Sequence, residues 1–193
     1  MFIAPKISRR EAEHIFSSKK SSFALMNKAV SRKKGIPPEK LEVLYLPFFL
    51  FDIAVEKETG EKDRGISGRQ NVTLTVDGLL GHAVLFAEDA WDVQNDPEPH
   101  VPVCDFTLAS SRAAEVALEQ YKGILLEHGL RTRSHSRAAA ISEGRMIYYP
   151  FWVAYFKKKK GYDFKALDAV SGEIQGVRMR RVFMKAFREL AKI

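Results

Sequence analysis

The chain has almost no cysteine: Cys104 is the only one in 193 residues. One thiol cannot form an internal disulfide, nor can it supply the thiolates of a cysteine-based zinc site. Its expected place is as a small buried apolar group rather than as a reactive one. Long apolar runs are missing too. The two longest, residues 43–53 and 146–156, fall well short of the ~20 residues a membrane-spanning helix needs, and Asp52 interrupts the first. The opening MFIAPKISRREAEHIF has no basic leader followed by an apolar core and a small-residue cleavage site, so a cytoplasmic location is expected.

Catalytic and metal-binding patterns are scarce as well. His14, His82, His100, His128 and His135 are scattered, with no pair at the spacing of a helical zinc site. The acidic cluster Glu88, Asp89, Asp92, Asp96 and Glu98 lacks the alternating oxygen ligands and central glycine of a calcium loop. Gly65-Ile66-Ser67-Gly68-Arg69 has arginine where a nucleophile elbow needs glycine, and it lacks the Gly-Lys-Ser/Thr ending of a phosphate loop. No catalytic residue, metal ligand or cofactor is therefore assigned, and binding is expected ahead of catalysis.

What is present is apolar surface and an uneven charge. With 46% hydrophobic residues the chain can bury a core, as one full domain or two small ones. Residues 1–103 carry 14 Lys+Arg and 15 Asp+Glu, a balance of −1, whereas residues 104–193 carry 17 and 9, a balance of +8. The basic excess of the second part suits an anionic partner.

The chain also repeats itself. YLPFFLFDIAVE, residues 45–56, is echoed by YYPFWVAYFKKK, residues 148–159, and the two prolines are 150 − 47 = 103 apart. The same offset carries Ser8-Arg9 onto Ser111-Arg112, while Asp77-Gly78-Leu79-Leu80-Gly81 matches Asp168-Ala169-Val170-Ser171-Gly172 at 168 − 77 = 91. A tandem duplication is expected. Each unit opens with a helix: Ser8 to Glu11 reads as a capping box, and Ala113, Val116, Ala117, Tyr121, Ile124 and Leu125 share a helical face that Gly129 would close. Each helix leads to a strand. Phe49, Phe51, Ile53 and Val55 on one side and Phe48, Leu50 and Ala54 on the other predict a strand covered on both faces, with Asp52 the exception. Proline lacks a backbone donor, so Pro47 and Pro150 are expected at a strand start, an edge or a bulge.

In the second unit the strand turns through Lys157, Lys158, Lys159, Lys160 and Gly161 into a hairpin. The matching connection in the first unit, residues 57–70, is charged and glycine-rich and is expected to be mobile. The Asp-x-x-x-Gly motifs suit tight turns, since aspartate bonds the backbone two residues on and glycine accepts positive φ. Residues 91–107, which hold Pro97, Pro99 and Pro102, read as a proline-rich linker between a first repeat at 1–90 and a second at 108–193.

YDFKALDAVSGEIQG, Tyr162 to Gly176, resembles the final hairpin of a PepSY-type repeat; NVTLTVDGLLGHAVLF keeps Asp77 and Gly81 but has His82-Ala83 where that pattern prefers an acidic and an aliphatic residue. The resemblance implies a small α+β module for binding or inhibition, without catalytic residues of its own.

The fold expected is therefore α+β: two similar units, each a helix packed on a small antiparallel sheet, the sheets packed about a pseudo-twofold axis, plus a basic C-terminal helix. The function expected is a non-enzymatic interaction module for a protein or peptide, received by strand edges or an inter-repeat groove. Those edges would also serve a homo-oligomer. The alternative is binding to nucleic acid or an anionic membrane surface. Its candidate anion-binding residues are Lys157, Lys158, Lys159 and Lys160 at the hairpin tip, and Arg178, Arg181, Lys185 and Arg188 near the C-terminus. On a helix Arg181, Lys185 and Arg188 share one face and Phe183, Ala186, Phe187 and Leu190 another, so packing on the sheet is expected ahead of membrane contact. Tyr148, Tyr149, Phe151, Trp152, Tyr155 and Phe156 precede the lysines and are expected in the core rather than as stacking platforms.

Overall fold

The structure, a computed structural model, describes residues 1–18, 37–58, 69–84, 91–97, 100–132 and 135–192. Its described elements are β1 (Phe2–Ile3), α1 (Arg9–Ser17), β2 (Lys40–Glu58), β3 (Arg69–Asp77), β4 (Ala83–Val84), β5 (Val93–Gln94), α2 (Ser110–Thr132), β6 (His135–Ile141), β7 (Arg145–Lys158), β8 (Gly161–Asp168) and α3 (Val177–Leu190). The fold is mixed α+β. Instead of two small sheets packed together, the strands form one eight-stranded sheet in the order β4-β3-β2-β7-β1-β5, with β6 paired to β2 and β8 to β7. Among the described residues no helix is long and apolar enough to cross a membrane.

The sheet is organised around β2 and β7, which pair antiparallel from Lys40↔Tyr155 to Leu50↔Arg145. Their side chains alternate between two apolar faces, as the sequence pattern predicts. Leu41, Val43 and Tyr45 of β2 pack with α1, and Phe49, Phe51, Ile53 and Val55 pack with α2. Leu44, Leu46, Phe48 and Leu50 point the other way, into a cluster with Met179, Val182, Phe183 and Ala186 of α3. Asp52 interrupts this second face, where its carboxylate accepts from the Thr73 hydroxyl at 2.8 Å and pairs with Arg145 at 3.3 Å.

Both prolines lie well inside these central strands, at Pro47↔Tyr148 and Tyr45↔Pro150, not at a start, an edge or a bulge. The outer side of β2 explains why they cost nothing there. Tyr45 donates to the Pro102 carbonyl and accepts from the Cys104 N–H, both at 3.0 Å, so its peptide groups face away from β7. Pro47, two residues on, faces the same way, and its carbonyl accepts from Gly78 N–H at 2.7 Å. Its nitrogen thus lies at the seam where one neighbour of β2 gives way to the next, and no ladder bond is lost. Around Pro150 the pattern recurs: Tyr148 donates to Met1 O at 2.9 Å, and Pro150 O accepts from Ala169 N–H at 3.2 Å.

The turns after β3 and β8 also share their carboxylate-to-backbone bonds at Oδ1. Asp77 Oδ1 accepts from the N–H groups of Leu79 and Leu80 at 3.1 and 2.7 Å, and Asp168 Oδ1 from those of Val170 and Ser171 at 2.8 and 3.0 Å. Gly81 at φ 75° and Gly172 at φ 77° occupy the left-handed region that favours glycine. Both aspartates are buried, at 0% and 4% exposure. Their second oxygens differ in partner: Asp77 Oδ2 accepts from His82 N–H, whereas Asp168 Oδ2 accepts from the Tyr149 hydroxyl at 3.1 Å.

The helices cross over. α1, which precedes β2, lies on β7 and β8: Ala12 and Phe16 pack with Trp152, Ala154 and Leu167, and the Trp152 indole donates to Ile7 O at 2.7 Å. α2, which precedes β7, lies on β2 and β3: Ala113, Ala117 and Tyr121 pack with Phe51, Ile53 and Leu74. The leading segments cross with them. Lys6 and Ile7 donate to Ala169 O, while Thr107 and Leu108 donate to Gly78 O.

At α1 the predicted capping box is present, Ser8 Oγ accepting from Glu11 N–H while Glu11 accepts from Ser8 N–H at 2.8 Å. The helix starts, Arg9 and Ser110, are 110 − 9 = 101 apart rather than 103. α2 continues past Gly129 to Thr132, and Ile124 is 46% exposed rather than on the buried stripe. The hairpin of β7 and β8 turns at Lys159-Lys160 as predicted, whereas residues 59–68 of the first connection lie outside the described residues. Within 91–107, β5 pairs with β1, Val103 bridges to Tyr45, and Cys104 is fully buried.

Replacing Asp77 or Asp168 by alanine would leave buried N–H groups without an acceptor, at a cost of about 2–4 kcal/mol each. Asp52→Ala, on a half-exposed side chain, is expected to cost less than about 1 kcal/mol. Urea unfolding midpoints of the three variants test this ordering.

Candidate ligand-binding site

The C-terminal helix is placed by its apolar stripe. Met179, Val182, Phe183 and Ala186 recur at helical spacing, and the Phe183 ring meets Phe151 edge-on at 5.3 Å. Docking that stripe turns Val177, Arg178, Arg181, Met184 and Arg188 outward; Val177 is 78% and Met184 42% exposed. The stripe is buried in one cluster with Phe151, Val153, Phe164 and Ala166 of the sheet.

An open cleft of about 370 Å³ lies at the start of α3. Val177, Arg178 and Arg181 line it from α3, Gln120 from α2, and His82 and Ala83 from the turn and strand that follow Asp77. Asp77 sets the position of His82, since the buried carboxylate holds the His82 N–H and the Asp77 N–H donates to His82 O at 2.9 Å.

The basic residues of α3 fall into two groups. Arg180 donates to Asp163 at 2.7 Å and to Phe164 O at 2.8 Å, with its guanidinium 4.4 Å from the Phe164 ring centre. Lys185 pairs with Glu189 at 2.6 Å, and Lys192 reaches the same carboxylate at 2.7 Å. Those two hydrogen bonds, Lys185 first, lower the Glu189 carboxyl to about 2. Arg178, Arg181 and Arg188, in contrast, meet no carboxylate within ion-pair distance among the described residues.

The eight predicted anion-binding residues therefore do not form one patch of free charge. Lys157, Lys158, Lys159 and Lys160 are exposed at the hairpin tip, where Lys158 lies 3.8 Å from Asp163. Asp163 also pairs with Arg180, so it links tip to helix and spends part of the charge of both. Arg178 and Arg181 belong to the cleft, Lys185 is neutralised, and Arg188 stands further along the helix. Gln120 and Val177 were not singled out from the sequence, and His82 was weighed there only as a metal ligand and as a departure from the PepSY-type pattern. No periodicity links three residues that meet only through the packing of α3 and α2 around the Asp77 turn.

The aromatic residues before the lysines are core. Tyr149, Phe151 and Trp152 are buried, and Tyr148, Tyr155 and Phe156 pack against the buried clusters. Tyr162 alone among the described tyrosines near the tip is largely exposed, at 64%, opposite Lys157. The outer edge of β8 is occupied over much of its length. Asp168 N–H donates to Glu173 O, Ala166 O accepts from Gln175 N–H, Phe164 O accepts from Arg180, and Phe164 N–H donates to Asp163 Oδ1.

Two buried ionisable groups, the Tyr149 phenol and the Cys104 thiol, are held in their neutral forms. Burial foremost, then the adjacent Asp168 carboxylate, pushes the Tyr149 phenol well above its usual range, so it stays a donor. Burial, aided by Asp105, pushes the Cys104 thiol up to about 11. Among the described residues no three of His, Cys, Asp and Glu converge as metal ligands. No protein-family model, curated protein or solved structure matches the chain.

A thiol that is fully buried and held at about 11 should not react with an aromatic disulfide reagent in the native protein at pH 8, and should react at once in denaturant. Absorbance of the released thiolate checks this. Rapid native labelling would contradict the burial.

Proposed function

We propose that the chain is a non-enzymatic interaction module for a protein or peptide, built from two related helix-plus-sheet units of PepSY-like order. Relatedness is supported by the reciprocal pairs Tyr45↔Pro150 and Pro47↔Tyr148, whose dyad runs through Leu46↔Tyr149, residues that are themselves 149 − 46 = 103 apart. It is supported again by the matched turns at Asp77 and Asp168, which lie 91 apart. In this account residues 1–90 and 108–193 are the units and 91–107 the connection. A cytoplasmic location is part of the proposal and rests on the sequence alone.

The observation that carries the binding role is the outward face of α3. Val177 and Met184 stand exposed among Arg178, Arg181 and Arg188, whose charges meet no carboxylate among the described residues. Exposed aliphatic groups framed by free arginines form a surface that a polypeptide with acidic residues complements in both charge and apolar contact. The partner is received there rather than on the outer edge of β8, whose backbone groups are largely engaged.

A second reading has one favourable observation. Tyr162 is exposed opposite Lys157, so the tip offers one stacking surface beside lysines, which suits single-stranded nucleic acid. Membrane contact through α3 is less favoured, because its apolar stripe is already buried on the sheet.

The test is capture from a cell lysate on immobilised protein, with nuclease and at high salt, comparing the unaltered chain with Val177→Ser/Met184→Ser and with serine at positions 157–160. Proteins that survive nuclease and are lost only with the α3 variant are the expected result. Material that disappears with nuclease, or with the lysine replacements alone, overturns it in favour of the tip.

A further inference from the structure

The cleft at the start of α3 specifies the chemistry of the partner further. Arg178 and Arg181 are three residues apart and so stand one above the other on the helix. Arg180 and Lys185, on the same helix, each have a carboxylate, whereas Arg178 and Arg181 have none among the described residues. Two arginines with no carboxylate partner among the described residues thus share a concave site with His82 and Gln120. Among the described residues that line it none is acidic and none is Phe, Tyr or Trp, and Val177 and Ala83 supply the apolar part.

From this we infer that the cleft binds carboxylate side chains of an acidic peptide segment, with Arg178 and Arg181 as the recognising cations. The inference rests on the interaction-module reading and names its partner class. A guanidinium presents a planar fork that matches a carboxylate with two parallel hydrogen bonds, and Gln120 can donate a further one. At about 370 Å³ the cleft is the size of a small ligand site and takes side chains rather than a folded surface. Nucleic acid is the poorer fit, since sequence-tolerant binding of a single strand needs aromatic platforms along a cationic track. The described lining holds no Phe, Tyr or Trp ring, and the lysine tip lies outside it.

Fluorescence anisotropy of a labelled peptide of eight glutamates, with an octathymidylate and phosphatidylserine vesicles as comparison probes, tests the assignment on the full chain. The octaglutamate should bind, and Arg178→Gln/Arg181→Gln should weaken it about tenfold or more, as loss of close charge pairs does. Gln120→Glu, which adds a like charge to the ligand, should weaken it too, while serine at positions 157–160 should change it less than about twofold, a rim effect. All these side chains are exposed or half-buried, so circular dichroism should show the fold intact. Octaglutamate binding that is indifferent to the arginine replacement overturns the inference. If octaglutamate fails to bind while captured proteins are still lost with Val177→Ser/Met184→Ser, the carboxylate assignment falls and the interaction module stands. If octathymidylate or the vesicles bind in its place and lose affinity with the lysine replacements, both fall.

Discussion

The antiparallel pairing of β2 with β7 is the contact on which the rest of the structure depends. It joins Lys40–Leu50 to Arg145–Tyr155 without interruption, and each strand carries its own hairpin partner on the far side. Two requirements meet there. Both faces of each strand must be covered, and both outer edges must change neighbour partway along. Proline satisfies the second, because at the change of neighbour an N–H would have no partner to find. Pro47 and Pro150 therefore mark seams in a continuous sheet, and their carbonyls anchor the turns that begin at Gly78 and Ala169.

Covering the first face couples the two parts of the chain. α1 closes the β7–β8 side and α2 the β2–β3 side, while the segments leading into them bond to the opposite turns. The β2–β3 ladder, from Phe48, is thus covered by α2 and the β7–β8 ladder by α1, which also meets Leu41, Val43 and Tyr45 at the start of β2. α3 covers the other face over β7 and β8 and leaves its own outward side unpartnered among the described residues. The candidate site follows from that asymmetry: only where α3 begins do its arginines meet the Asp77 turn and α2.

Local bonding was legible in the sequence and long-range pairing was not. The capping box at Ser8, the lysine hairpin tip and the two aspartate turns each close within a few residues, so residue types at fixed spacing announce them. Burial of β2 on both faces was legible because apolar residues stand at both parities. The position of the prolines misled, since proline in a central strand contradicts its usual avoidance, and the seam that excuses it is made by segments far away in the chain. Which hairpin a helix covers depends on complementary shapes brought together by the fold, and no spacing encodes it. The basic residues were visible as a count, but which charges stay free was decided by Asp163 and Glu189.

Native-state hydrogen exchange measured against increasing denaturant tests the coupling most directly. If β2–β7 and the crossed helices bind the chain into one cooperative body, the amides of β3 and β8 should exchange through the same opening, with the same denaturant dependence and the same free energy as those of Leu46 and Tyr149. Release of β2, β3 and α2 at one denaturant concentration, with β7, β8 and α1 still protected, would contradict it.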